Sequence, residues 1–63
     1  MSPKEAIERL EHRATYVASK IEEAKANGKY TFWLEKDRDA IALAISALDY
    51  LDQVQQYEAT QQG

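Results

Sequence analysis

Between Trp33 and Tyr57 the chain carries two apolar stripes on what its spacing predicts to be a single helix. Ile41, Ala44, Ile45, Leu48 and Leu51 form the first stripe. Ala40, Leu43, Ala47, Tyr50, Val54 and Tyr57 form the second, at alternating steps of three and four residues. An α-helix turns by about 100° per residue, so each set shares a face, and together they leave a polar arc of only about a quarter of the circumference. A helix this apolar needs cover on two sides, and a helical hairpin supplies one.

The other helix is announced by its cap. Ser2-Pro3-Lys4-Glu5 matches a capping box, with Pro3 at the first helical position, where its missing N–H costs nothing. Ile7, Leu10, Ala14, Val17, Ile21 and Ala24 then recur at steps of three and four, a narrow seam that satisfies one neighbour. Asn27-Gly28 supplies residues that tolerate the left-handed conformation of a helix C-cap, and Lys25 suits the C-terminal end of the dipole. This predicts helix 1 over residues 3–26 and a turn over 27–31. Helix 2 is predicted over 32–58, capped by Thr31 or, with a later start, by Asp37, and a frayed polar tail over 59–63.

Two long helices joined by so short a turn run antiparallel. The expected fold is all-α: one helical-hairpin domain, residues 1–63, in which helix 1 packs on the first stripe. The second stripe, with Leu43, Ala47, Tyr50, Val54 and Tyr57, would then face water unless a second copy covers it, so a homodimeric four-helix bundle is expected.

Size points the same way. A chain of 63 residues buries only about 60% of its unfolded surface and needs disulfides, a metal or a partner to be more than marginally stable. With no cysteine, disulfides and thiolate metal sites are removed. The 44% hydrophobic and 30% charged composition suits a folded helical chain rather than a disordered one. No apolar run is long enough for a membrane span or a secretory leader, so a cytoplasmic protein without membrane contact is expected.

The net charge of −3 is unevenly spread. Residues 1–36 carry seven Lys/Arg against six Asp/Glu, whereas residues 37–63 carry Arg38 alone against five acids. The second half repels phosphate, so any nucleic-acid surface must lie on the first. There Arg9, Arg13, Tyr16 and Lys20 fall on one strip of helix 1 and form a candidate partner surface. The plainer reading is that their stems flank the seam, with Arg9 paired to Glu5 one turn earlier.

Tyr30, Phe32 and Trp33 gather at the turn. They either close the bundle end as a lid over Ala24 and Ile21 or stand exposed as an anchor for a partner protein, since Trp and Tyr dominate binding hot spots. His12 is the only imidazole and is expected in solvent, on the polar side opposite the seam; the Glu-x-x-His pattern of di-iron bundles is absent, because Arg9 occupies the position that needs a glutamate. Asp49 and Asp52 read as solvated carboxylates. Asp37 falls near Leu34 and Ile41 and is expected to cap or to pair with Lys20 or Lys25. No phosphate loop, nucleophile elbow or Ser/His/Asp set occurs, so neither enzyme activity nor a cofactor is expected.

The strings Ser-Pro-Lys-Glu-Ala-Ile-Glu-Arg-Leu-Glu at residues 2–11 and Glu-Lys-Asp-Arg-Asp-Ala-Ile-Ala-Leu-Ala-Ile-Ser-Ala-Leu at residues 35–48 resemble those of small helical-hairpin accessory proteins of phages and prophages. That resemblance implies a protein that binds and inhibits a host enzyme or defence factor, and it carries no site residues with it. The length and expected hairpin dimer are also similar to the plasmid copy-number regulator that binds paired RNA loops, although that regulator's cysteines are absent here. RNA regulation and pure self-assembly are therefore the alternative functions.

Overall fold

The computed structural model describes residues 1–62, with side chains through Thr60, as two helices packed against each other: α1, Pro3–Ala26, and α2, Phe32–Gln62. No strand occurs among the described residues. Ser2 starts α1 in an extended conformation, its hydroxyl accepting the Glu5 N–H at 3.1 Å and its carbonyl accepting the Ala6 N–H at 3.0 Å. These two bonds satisfy donors that a helix N-terminus otherwise leaves orphaned.

The turn is closed by backbone geometry. Gly28 has φ +66°, the left-handed region where a Cβ would press on the following carbonyl. With Gly28 in that state, its N–H donates to the Lys25 carbonyl at 3.1 Å and the Lys29 N–H reaches the Ala24 carbonyl at 2.8 Å. This crossed pair is a Schellman motif. Asn27 adds a side-chain bond to the Glu23 carbonyl at 3.0 Å, so the last turn of α1 has its carbonyls largely satisfied.

Three residues later α2 begins, and the Thr31 carbonyl accepts the Glu35 N–H at 2.9 Å. The helix therefore starts at Phe32, and Asp37, one turn and more inside it and exposed, does not cap it. At the other end α2 runs to Gln62, four residues beyond the expected limit at 58. Side chains support the extension. Gln53 donates to Asp49 at 3.2 Å and Gln56 to Asp52 at 3.0 Å, each one turn apart, and the Thr60 hydroxyl bonds back to the Gln56 carbonyl at 2.9 Å. The part of the expected tail at Gly63 lies outside the described residues.

The seam forms as its spacing predicts. Among the described residues Val17 and Ile21 are the two buried side chains, with Ile7, Leu10, Ala14 and Ala24 half-buried along the same line. From α2, Leu34, Ile41, Ala44, Ile45 and Leu48 meet them half-buried; Leu51, counted in the first stripe, is 43% exposed near the open end. The inner line of α2 is not wholly apolar, since Arg38 and Asp52 fall on it at helical spacing. Arg38 escapes to solvent, where it pairs with Asp39 at 3.5 Å, and Asp52 stays half-buried with its bond from Gln56.

At 1.5 Å per residue α1 is about 36 Å long and α2 about 46 Å, so roughly the last two turns of α2 project past the start of α1. The molecule is a rod of 56 × 15 × 14 Å with a radius of gyration of 15.7 Å, against about 11 Å for a compact chain of this length.

Two mutations test the seam and its closure. Ile21→Ala should cost about 3 kcal/mol, enough to unfold a protein with so small a core in a urea titration. Gly28→Ala should cost about 1 kcal/mol through backbone strain alone, because a Cβ there would meet nothing within 4 Å. Gly28→Asn, which tolerates the left-handed region better, should lose less than Gly28→Ala at the same protein concentration.

Candidate functional site

The outer face of α2 is turned away from α1. Leu43 is 73% exposed and Tyr50 71%, with Ala40, Ala47 and Tyr57 also exposed; Val54 alone is half-buried. Lys36 and Phe32 continue the same helical line toward the turn, so this face runs unbroken from the aromatic end of α2 to Tyr57.

The chain exposes 5150 Å², whereas a compact 7.2 kDa protein exposes roughly 4,100 Å² by the usual surface scaling. The difference, on the order of 1,000 Å², reflects the elongation of a two-helix rod, which leaves both helices more surface than a compact chain would expose.

The aromatic end is assembled by the turn. Tyr30 stacks on Phe32 with ring centroids 5.9 Å apart and planes 22° from parallel, and Phe32 meets Trp33 edge-on at 5.0 Å and 81°. Both arrangements suit the ring quadrupoles. The Lys36 ammonium lies 5.3 Å from the Phe32 centroid and adds a cation to the cluster. The cluster is not a lid: Trp33 is 71% exposed and Tyr30 77%, and no aromatic ring from it is buried over Ile21. Tyr30 lies in the exposed turn, and Phe32 and Trp33 open α2 with exposed side chains.

The basic strip divides into two parts. Arg13 and Lys20 both lie over the Tyr16 ring, at 4.7 and 5.5 Å from its centroid. With Glu23, Ala24, Asn27, Lys29 and Leu34 they line an open groove of about 390 Å³ between α1 and the turn. Arg9 lies apart, in a second groove of about 340 Å³ lined with Met1, Glu5, Glu8 and His12. The ion pairs differ from those expected. Lys20 binds Glu23 at 3.3 Å rather than Asp37, and Arg9 forms no ion pair with Glu5 within 4 Å. Glu23 sits one turn along the helix from Lys20, and such solvent-facing pairs contribute little to stability.

His12 is exposed, as its place opposite the seam implies. Among the described residues no group of three or more His, Asp or Glu is arranged to hold a metal ion, and no helix is long and apolar enough to cross a membrane. No family model, curated protein or solved structure matches the chain.

Trp33 is the only tryptophan, which makes its exposure directly readable. Its emission should resemble that of an indole in water and be quenched efficiently by acrylamide in the free protein. Protected, blue-shifted emission would mean that the aromatic end is covered after all.

Proposed function

We propose that the protein is a non-enzymatic, protein-binding homodimer: two hairpins joined through the outer faces of α2 into a four-helix bundle, with the exposed Tyr30, Phe32 and Trp33 cluster as the anchor for a partner protein. The observation that carries this reading is the exposed apolar face itself. Leu43 and Tyr50 are each more than two-thirds exposed in the single hairpin, and contiguous apolar surface of this size marks an interaction site. Among the described residues most of the exposed large apolar side chains lie on α2, with Met1 and Tyr16 on the α1 side and Tyr30 in the turn, which favours self-association through α2 over packing on the narrow seam of α1.

For the partner site, the support is chemical. Aromatic residues held rigidly by one another contribute large contact area at little cost in side-chain entropy, and Trp and Tyr are enriched among the residues that dominate binding energy. The resemblance to phage accessory hairpins supplies the kind of partner, a host enzyme or defence factor, and makes inhibition the corresponding activity in the host cytoplasm.

RNA binding is the second reading, and the Arg13, Tyr16 and Lys20 cluster supports it. Bases stack on aromatic rings and phosphates attract the flanking cations. Against it stand Glu23, which already engages Lys20 at 3.3 Å, and the acidic second half of the chain. An absence of salt-sensitive affinity for structured RNA removes this reading.

Three measurements test the main one. Sedimentation at micromolar concentration should give twice the chain mass; a folded monomer contradicts the dimer. Replacing Leu43 and Val54 together with Lys should dissociate the dimer and, because the hairpin alone has so little core, largely unfold it by circular dichroism. Pull-down from host lysate should recover one stoichiometric protein, and Trp33→Ala should weaken that complex by about 30-fold, the scale of a hot-spot residue, while leaving the dimer mass unchanged.

A further inference from the structure

We propose that the two α2 helices pack antiparallel about a two-fold axis lying between Ala47 and Tyr50, so that the dimer is bivalent, with one aromatic anchor at each end. The proposal rests on the self-association argued above and adds its direction, its register and its consequence for partner binding.

Side-chain size is the first argument. Along the outer face the residues alternate at steps of three and four, and an antiparallel pairing brings Ala40 opposite the partner's Tyr57, Leu43 opposite the partner's Val54, and Ala47 opposite the partner's Tyr50. Every tyrosine of the face meets an alanine, and the two medium-sized side chains meet each other. A parallel pair would instead set each residue against its own copy, tyrosine on tyrosine in one layer and alanine on alanine in the next. Such layers hold the helices apart at one level and leave voids at another, which a close-packed interface does not tolerate.

Charge is the second. Residues 32–48 of α2 mix Lys36 and Arg38 with Glu35, Asp37 and Asp39, while residues 49–62 carry Asp49, Asp52 and Glu58 and no cation. A parallel dimer lays the two all-acidic segments side by side. The antiparallel dimer lays each beside the mixed segment of its partner, where like-charge repulsion is least.

Length is the third. The final turns of α2 project beyond α1, so in one hairpin they have no second helix to lean on. In the antiparallel register they lie along the partner's α2 near Ala40, where that chain is two helices thick.

The functional consequence is spacing. Trp33 of each copy lies level with the end of the partner's α2, which sets the two anchors on the order of 45 Å apart at 1.5 Å per residue. They are two separate and identical protein-binding sites, and the dimer bridges two copies of one partner. A parallel dimer would merge them into one composite site.

The test separates orientation from dimerisation. Sedimentation of the unmodified protein first establishes the dimer, and a monomer there overturns both proposals. L43C, V54C and the double variant are then oxidised and run without reductant. In the antiparallel register each single position is roughly 16 Å along the axis from its own copy, beyond disulfide reach, whereas Leu43 and the partner's Val54 are neighbours. The expected result is that the double variant alone becomes a covalent dimer. Covalent dimers of either single variant, or none from the double variant in a protein of dimeric mass, overturn the register and leave the dimer standing. Trp33→Cys lies outside the pairing, so a nitroxide there gives a second readout that does not depend on cysteines in the interface. A separation near 45 Å is expected, and one under about 20 Å overturns the antiparallel arrangement.

Discussion

Two helices can share only one face each, and everything else about this molecule follows from that limit. α1 has a single narrow seam and is satisfied by the hairpin. α2 has two stripes, and the hairpin covers one. The result is a rod whose buried core is Val17 and Ile21, bordered by half-buried neighbours that would be interior residues in a thicker protein. Hydrophobic stabilisation scales with area removed from water, so a two-helix layer of this length gains little beyond what ordering the chain costs. The outer face of α2 is thus both the largest unsatisfied surface and the nearest source of the missing stability.

The turn decides which stripe goes inward. The left-handed Gly28 and the crossed bonds to Lys25 and Ala24 bring the chain back against α1 with a fixed rotation of α2. Ile41, Ile45 and Leu48 then face the seam, and Leu43 and Tyr50 face away. Tyr30, in the turn, and Phe32 and Trp33, at the start of α2, stand exposed at the same end. Folding and presentation of the aromatic cluster are therefore set by one local structure, and the cluster needs no lid or loop of its own to hold it in place. The stacked and edge-on ring contacts fix the three side chains relative to one another while leaving most of Trp33 and Tyr30 in solvent.

Much of this was readable from residue types. Ser2 and Pro3 mark the start of α1 and Asn27-Gly28 its end, because each terminus needs a particular backbone state or side-chain acceptor that few residues supply. The seam and the surplus stripe follow from spacing alone. What could not be read is what depends on distances between side chains. Residues 59–62, Gln-rich and polar, look like a fraying tail by composition, yet α2 continues through them and the Thr60 hydroxyl bonds back to the Gln56 carbonyl. Whether Trp33 closes the bundle or leaves it depends on a rotation of α2 of a few tens of degrees, well inside the ambiguity of a sequence pattern. The strip from Arg9 to Lys20 is continuous on a helical projection, but Tyr16 draws Arg13 and Lys20 together and leaves Arg9 among the acids near the N-terminus.

In the proposed dimer, where a second copy covers the outer face of α2, stability and function are coupled through concentration. A protein whose core is completed by a second copy gains stability by mass action, and its folded fraction falls as it is diluted. The anchor cluster lies at the end of that same helix, so it is rigid only when α2 is. Under that proposal a partner that grips Trp33 stabilises α2, favours the dimer, and is favoured by it in return, a reciprocity that linkage requires whatever the partner is. With only Val17 and Ile21 buried among the described residues of each chain, binding and folding in such a dimer are not independent events.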